Sequence, residues 1–514
     1  MMFGCMRVLL VLLSALAQNI AQLKDWNPPT GEVRVTPRLS CHELRGLTGY
    51  EFSVTAAVQV TGQGEDHCRV SGQVLPEIRF EVSLPASWNR RLYMFGNGGF
   101  AGEPFDMPVR ARQRTAALTR GFAVAATDTG HDASVEPLAT FAVNRQKLLD
   151  YAFRSLPVTV RTAKKLAQAY YQTAPARSYF LGCSTGGRQG LILAQRFPDD
   201  FDGIVVGAPV LNFTGTMISY VRIARALAAA PVPESKLKLI ADRVYELCDA
   251  RDGLKDGLID DPRRCDFSPA RDLPKCDGNA DAPGCLTPAQ ITSLETIYSD
   301  VTSQGQRIFP GWPAGAEIAG PSGPSGWVPW IVRDGGRTIS VNFAESFFRY
   351  MAFGKPDPSY DLARFDLDKD VARLDPIHHI LDATDTDLSR FRSRGGKIVM
   401  YYGCADPALN PRMGVEYYEQ VTQRTGASTT DFFRLFMVPG MFHCAGGVGP
   451  DNFDALTPVI HWVEKGTAPH RIEAAQLVQD QPRRKRPLCP YPQVARYKGS
   501  GSIDDAASFS CVMP

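Results

Sequence analysis

The sequence predicts an α/β fold in which a mainly parallel sheet is interrupted by a large insertion. Short apolar runs alternate with amphipathic helical patterns up to Pro209, the rhythm of parallel strands joined by crossover helices. That rhythm breaks between residues 210 and 393 and resumes at Gly395. In the first half, Gly182-Cys183-Ser184-Thr185-Gly186 lies between an apolar strand pattern and an amphipathic helix pattern. Gly-x-Ser-x-Gly in that setting is a nucleophile elbow, a turn too tight for flanking side chains that pushes one hydroxyl out above the sheet. The predicted class is an α/β-hydrolase fold with a large inserted lid domain.

The elements follow in chain order. Arg7 precedes the apolar run 8–13, and Ala15-Leu16-Ala17 follows it. A charged start, a short apolar centre and a small-residue cleavage site predict a secretory signal over residues 1–17. No other apolar run reaches the roughly 20 residues that span a bilayer. The mature protein is expected to be free of the membrane and secreted or periplasmic. Residues 18–66 are polar with Pro and Gly and predict a β-rich arm. Residues 78–84 alternate apolar and polar as a half-buried strand does. A strand at 91–95 runs into the glycine-rich stretch 96–102, and another is predicted at 122–128. A long helical pattern covers 148–171, a strand covers 178–181, and the elbow leads into a helix ending before Pro198. Residues 201–209 form the next strand. Strands at 395–403 and 432–438 and a closing helix over 453–464 complete the sheet. The catalytic domain is thus 18–209 with 394–514, and the lid is 210–393. The net charge of +2 is spread along the chain with no basic stripe, which argues against a nucleic-acid partner. The short run Arg483-Arg484-Lys485-Arg486 reads as a solvated loop.

A serine hydroxyl becomes a nucleophile only when a histidine takes its proton and a carboxylate orients that histidine. In this fold class the chain order is Ser, Asp or Glu, then His. After Ser184, Asp406 and His443 each lie just past a strand end, where such partners belong. His378 and His379 fall in the insertion, His461 in the closing helix and His470 in a polar loop. The oxyanion needs backbone donors. Thr185 follows the nucleophile and supplies one; Gly99, with Gly98 as second choice, supplies the other from the loop after an earlier strand.

The chain has twelve cysteines, and in an exported protein these predict disulfides. Without Cys5, which precedes the signal's apolar segment, an odd number remains, so at least one is unpaired within the chain. Cys183 precedes Ser184 and Cys444 follows His443. A disulfide brings Cα atoms to roughly 4.4–6.8 Å, so a Cys183–Cys444 bridge would hold nucleophile and base as neighbours; the alternative is that both pair elsewhere or stay free. Cys248 with Cys265, and Cys276 with Cys285, would close short loops, though sequence alone does not fix the pairing.

Residues 248–260 carry recurring carboxylates with Asp-Gly turns. Calcium takes roughly six to eight oxygens from carboxylates and carbonyls. Asp249, Asp252 and Asp256 would supply carboxylates, and Leu254 and Leu258 carbonyls, to a structural Ca2+ in the lid; the alternative is a polar turn region. The lid aromatics Trp312, Trp327, Trp330, Phe343, Phe347, Phe348 and Phe353 are candidates to line a pocket for an aromatic acyl group, with lid core as the reading for most of them.

Gly182-Cys183-Ser184-Thr185-Gly186-Gly187, Cys404-Ala405-Asp406 and His443-Cys444 resemble the paired Cys-Ser, Asp and His-Cys arrangement of the tannase and feruloyl esterase family. The tail residues 486–492 and 496–501 also match, and the resemblance covers nearly all of the mature chain. It implies hydrolysis of small esters of aromatic acids such as ferulate or gallate, a lid calcium site at 249–258, and bridges Cys183–Cys444, Cys248–Cys265, Cys276–Cys285, Cys489–Cys511 and Cys41–Cys68. Cys404 is then unpaired. The chain also resembles the mono(2-hydroxyethyl) terephthalate hydrolases of that family, but has Thr185 where they carry Glu and no arginine matching theirs near 344–346. The expected function is a secreted serine carboxylesterase acting on aromatic-acid esters. Its rivals are a terephthalate monoester hydrolase, a serine peptidase of the same fold, and a calcium-dependent exported binding protein on an inactive scaffold.

Overall fold

The computed structural model describes residues 22–62, 65–278, 280–318 and 326–514. The predicted signal, residues 1–17, lies outside them. Seven strands precede the insertion: β1 (Ser53–Val60), β2 (His67–Val74), β3 (Ile78–Pro85), β4 (Arg91–Phe95), β5 (Ala123–Thr127), β6 (Arg177–Cys183) and β7 (Gly203–Gly207). The insertion carries a short hairpin, β8 (Val301–Ser303) with β9 (Gln306–Phe309). Strands β10 (Lys397–Gly403) and β11 (Phe433–Val438) follow it. One nine-stranded sheet results, in the order β1-β2-β3-β5-β4-β6-β7-β10-β11. From β5 to β11 every neighbouring pair is parallel, while β1, β2 and β3 form an antiparallel edge.

Period-two alternation explains how this sheet is buried on both faces. Leu92, Met94, Phe180, Ile204, Val206, Ile398 and Met400 pack into one core. Their strand neighbours Tyr93, Phe95, Tyr179, Leu181, Val205 and Val399 pack into the other. The sequence order reverses around β4, which lies between β5 and β6. In open α/β sheets the carboxyl ends of the strands at such a reversal are where ligands bind.

The N-terminal arm is less regular than expected: a 3-10 helix at Cys41–Leu47 precedes β1. The long helical pattern is divided. Arg145–Leu149 passes through a π-helical turn, Asp150–Arg154, into the helix Ser155–Tyr171. Residues 210–393 give no strand to the main sheet among the described residues. Their helix Phe213–Ala229 packs against Pro288–Tyr298 and Ile339–Tyr350.

After the closing helix Leu456–Lys465 come two hairpins, β12 (Ile472–Val478) with β13 (Gln481–Leu488), and β14 (Val494–Tyr497) with β15 (Phe509–Val512). The basic run at 483–486 is therefore not a loop but part of β13. Strand alternation turns Arg486 inward, where it is 3% exposed, lies over the Phe509 ring and pairs with Asp256. Five disulfides are formed: Cys41–Cys68, Cys183–Cys444, Cys248–Cys265, Cys276–Cys285 and Cys489–Cys511. Cys404 is free and buried. Among the described residues, no helix is long and apolar enough to cross a membrane.

Candidate active site

The elbow is built as its glycines require. Ser184 sits at φ 64, ψ −124, between the end of β6 and the helix Thr185–Arg196. A side chain at Gly182 would run into the Gly186 backbone, and one at Gly187 into the Gly207 carbonyl and Pro209. The Ser184 N–H donates to the Gly207 carbonyl at 3.0 Å, which ties the turn to β7. The serine side chain is thus held out at the carboxyl end of the sheet by backbone it cannot escape.

Asp406 and His443 come from the loops after β10 and β11. Asp406 is 1% exposed; its Oδ1 accepts the N–H groups of Ala408 and Leu409, both at 2.8 Å. Its other oxygen lies 2.8 Å from His443 Nδ1. With the Nδ1–H donated there, Nε2 is the nitrogen left to exchange a proton. Trp330 meets the imidazole edge-on, with ring centroids 5.6 Å apart. The Cys183–Cys444 bridge holds the two chain segments at a Cα–Cα distance of 6.0 Å across 261 residues of sequence. Ser184 and His443 line one cavity of about 530 Å³.

The loop after β4 carries the candidate oxyanion donor. Gly99 adopts φ +50, a backbone state that glycine reaches without steric cost. Its carbonyl accepts from the Thr185 hydroxyl and, at 3.2 Å, from the Tyr151 hydroxyl. Burial pushes the Tyr151 phenol above its ordinary range, so it stays a neutral donor. The Gly98 N–H is already donated to Glu103 at 3.1 Å. The second-choice donor is thus engaged by a side chain. Thr185 opens its helix, where the first N–H groups have no intrahelical acceptor.

Of the seven lid aromatics singled out in the sequence, Trp330 and Phe343 reach the cavity. Trp312, Trp327, Phe347 and Phe348 are core, and Phe353 packs against that core from partly buried positions. The helix Phe213–Ala229 adds Phe213, Met217 and Tyr220 to the wall. Nothing in the sequence marks these three, because a cavity wall and a core face have the same apolar periodicity. Glu103 and Tyr151 were also missed. Glu103 directly follows the glycine-rich stretch, which is a usable signal; Tyr151 carries none.

No residue of the acidic loop lines this cavity, and the loop is only partly assembled as a ligand set. Asp249 accepts the N–H groups of Asp256 and Gly257, at 3.1 and 3.0 Å. Asp252 accepts from Leu254 at 2.8 Å, and Asp256 accepts from Leu258 at 3.1 Å besides pairing with Arg486. Among the described residues no three His, Cys, Asp or Glu side chains converge as a metal cage. The electrostatics nonetheless leave negative charge uncompensated. Burial, then neighbouring carboxylates, push Asp252 up to about 6 and Asp260 up to about 8. Asp260 is an acidic neighbour that the sequence pattern did not single out.

Comparison with known proteins shows the family. The family model described as tannase and feruloyl esterase matches residues 58–512. The chain is 38% identical to an uncharacterized esterase of Xanthomonas campestris pv. campestris, with 87% of this chain and 84% of that protein covered. It is 36% identical to a mono(2-hydroxyethyl) terephthalate hydrolase of Piscinibacter sakaiensis, covering 87% and 85%. The crystal structure of feruloyl esterase B from Aspergillus oryzae superposes with a TM-score of 0.81 at 26% identity, covering 92% of this chain and 100% of that one. The chain belongs to the tannase and feruloyl esterase family and is a carboxylic ester hydrolase.

Proposed function

We propose that this protein is an exported serine esterase whose substrates are small esters of aromatic acids of the hydroxycinnamic or gallic type. The observation that carries the reading is one cavity in which Ser184 and an Asp406-oriented His443 share walls with Trp330, Phe343 and Phe213. Ser184 attacks the ester carbonyl while His443 Nε2 takes its proton. The oxyanion is received by the N–H groups of Gly99 and Thr185. His443 then protonates the departing alcohol and activates water for the second half-reaction. Asp406 holds the imidazole in the working tautomer. The aromatic walls offer a planar acyl ring stacking and edge contacts. Export is supported by the five disulfides, which persist in oxidising compartments. A fluorophosphonate probe should label Ser184 in the intact protein; absence of labelling would favour a binding protein instead.

Terephthalate monoester hydrolysis is the second reading, favoured by the 36% identity to an enzyme with that name. The insertion's arginines weigh against it: Arg337 and Arg349 are tied to Glu345 and neither lines the cavity. A panel of feruloyl, galloyl and terephthaloyl esters separates the two. The feruloyl or galloyl ester is expected to have the highest kcat/KM, and a terephthaloyl preference would reverse the assignment.

The acidic loop fits a structural calcium ion by its donor chemistry: carboxylates of Asp249, Asp252 and Asp256, and carbonyls of Leu254 and Leu258. Without a cation, Asp252 and Asp260 have folded-state pKa values raised from 3.8 to about 6 and about 8. The folded chain then holds protons that the unfolded chain has released, so these groups cost stability as pH rises through that window. A bound cation removes the cost. The expected result is a calcium-dependent rise in Tm, relative to chelator, that is larger at pH 8 than at pH 5. An equal or absent rise at both values would count against the site.

A further inference from the structure

Several backbone groups of the loop between β4 and helix Pro108–Leu118 (residues 96–107) are held by hydrogen bonds. Gly96 donates to Leu181 O at 2.8 Å, and Asn97 donates to Gln189 Oε1 at 2.9 Å. The Gly98 carbonyl accepts from Ala101 at 2.8 Å, and the Gly99 carbonyl accepts from Thr185 and Tyr151. Gly102 donates to Asp128 O at 3.1 Å. The Gly98 N–H is handled differently. It is taken by a carboxylate, Glu103 Oε1, at 3.1 Å. A Cβ on Gly98 would stand 2.8 Å from that same oxygen, and the Glu103 side chain would have to shift to admit it.

An anion beside a developing oxyanion is unfavourable unless it is neutralised. Glu103 is neutralised. Arg110, on the helix Pro108–Leu118, binds its other oxygen through Nη2 at 2.8 Å and Nε at 3.2 Å. Arg110 is itself fixed, over the Phe95 ring at 5.3 Å and against Gln113 at 3.1 Å. The pair is 16% and 12% exposed, and both residues line the cavity that holds Ser184 and His443.

We propose that Glu103 is a positioning residue for the oxyanion site: it captures the Gly98 amide, fixes the turn that presents the Gly99 amide, and is made electrostatically silent by Arg110. This rests on the serine esterase reading above. The hydrogen bond sets the aim of the turn, and the ion pair prevents the carboxylate from opposing the negative charge that forms on the substrate oxygen. Neither residue touches the reacting atoms.

The experiment is a kinetic cycle on the full-length protein with the ester turned over best in the panel. Glu103→Ala is expected to lower kcat about tenfold to a hundredfold with KM changed less than about twofold, because only the transition state uses the aimed donor. Glu103→Gln keeps an acceptor for the Gly98 N–H and is expected to restore kcat to within about threefold of wild type. Arg110→Met exposes an unpaired carboxylate and is expected to be slower than the double variant Glu103→Gln/Arg110→Met. A role in folding alone predicts the opposite order, since the double variant loses more contacts. A parallel loss of affinity for phenylboronic acid, an oxyanion mimic, with Tm unchanged, separates misaligned donors from misfolding. Wild-type kcat in Glu103→Ala, a loss confined to KM, or a double variant slower than Arg110→Met would overturn the proposal. Turnover retained in Ser184→Ala would instead overturn the esterase reading on which it rests.

Discussion

Ser184→Ala lowers kcat for methyl ferulate by at least about 10⁴-fold, leaving only the residual rate that binding and oxyanion contacts provide. The fold survives, because alanine keeps the Cβ and the helix Thr185–Arg196 does not use the hydroxyl as a cap. Circular dichroism and Tm should therefore match wild type. A companion variant tests the elbow itself. Ser184 holds φ 64, ψ −124, a state that costs a residue with a side chain about 1–3 kcal/mol. Ser184→Gly removes that strain but adds freedom to the unfolded chain, worth about 0.4–1 kcal/mol in the other direction. It should be as inactive as Ser184→Ala and more stable, with a Tm about 1–3 °C higher. Retained turnover in either variant would remove Ser184 from the mechanism. A Tm below that of wild type in Ser184→Gly would mean that the strain argument is wrong.

The parts of this molecule that were legible in sequence are those where local chemistry dictates backbone. Gly182 and Gly187 stand where backbone crowding forbids side chains, and Gly186 where it leaves little room, so the elbow could be read directly. The strands of the parallel sheet are buried on both faces and appear as short apolar runs; β4, β10 and β11 were placed within a residue or two. Asp406 and His443 were candidates because such a pair belongs past strand ends, and the structure brings the two side chains to 2.8 Å. What was illegible depends on contacts made by folding. The π-helical turn at Asp150–Arg154 has no breaker in its sequence. The run at 483–486 looked solvated because nothing local shows that Arg486 meets Asp256, which lies 230 residues away. The cavity walls at Phe213 and Met217 share the helical periodicity of ordinary core. Charge at the acidic loop was visible, but the burial of Asp260 within that stretch was not.

Replacing both Cys183 and Cys444 with alanine should damage stability and catalysis together, and the size of each loss follows from a different property of the bridge. The bridge spans 261 residues, and the chain-entropy relation for a loop of that length gives roughly 5.6 kcal/mol of stabilisation. The catalytic loss comes from alignment. Each cysteine is the immediate neighbour of a reacting residue, and a displacement of about 1 Å between reacting groups costs on the order of a hundredfold in rate. His443 keeps its bond to Asp406 and its contact with Trp330, so the imidazole stays oriented and the loss should stop well short of that in Ser184→Ala. The control is the Cys276→Ala/Cys285→Ala variant. That bridge spans 9 residues in the insertion, for which the same relation gives roughly 2.5 kcal/mol, and neither cysteine lines the cavity. It should lower Tm by a smaller amount and leave kcat unchanged. The measurement is kcat and Tm for both double variants at a temperature where each is folded. Equal kcat losses in the two would show that activity is tracking stability alone. An unchanged kcat in Cys183→Ala/Cys444→Ala would show that the surrounding packing aligns serine and histidine without the covalent link.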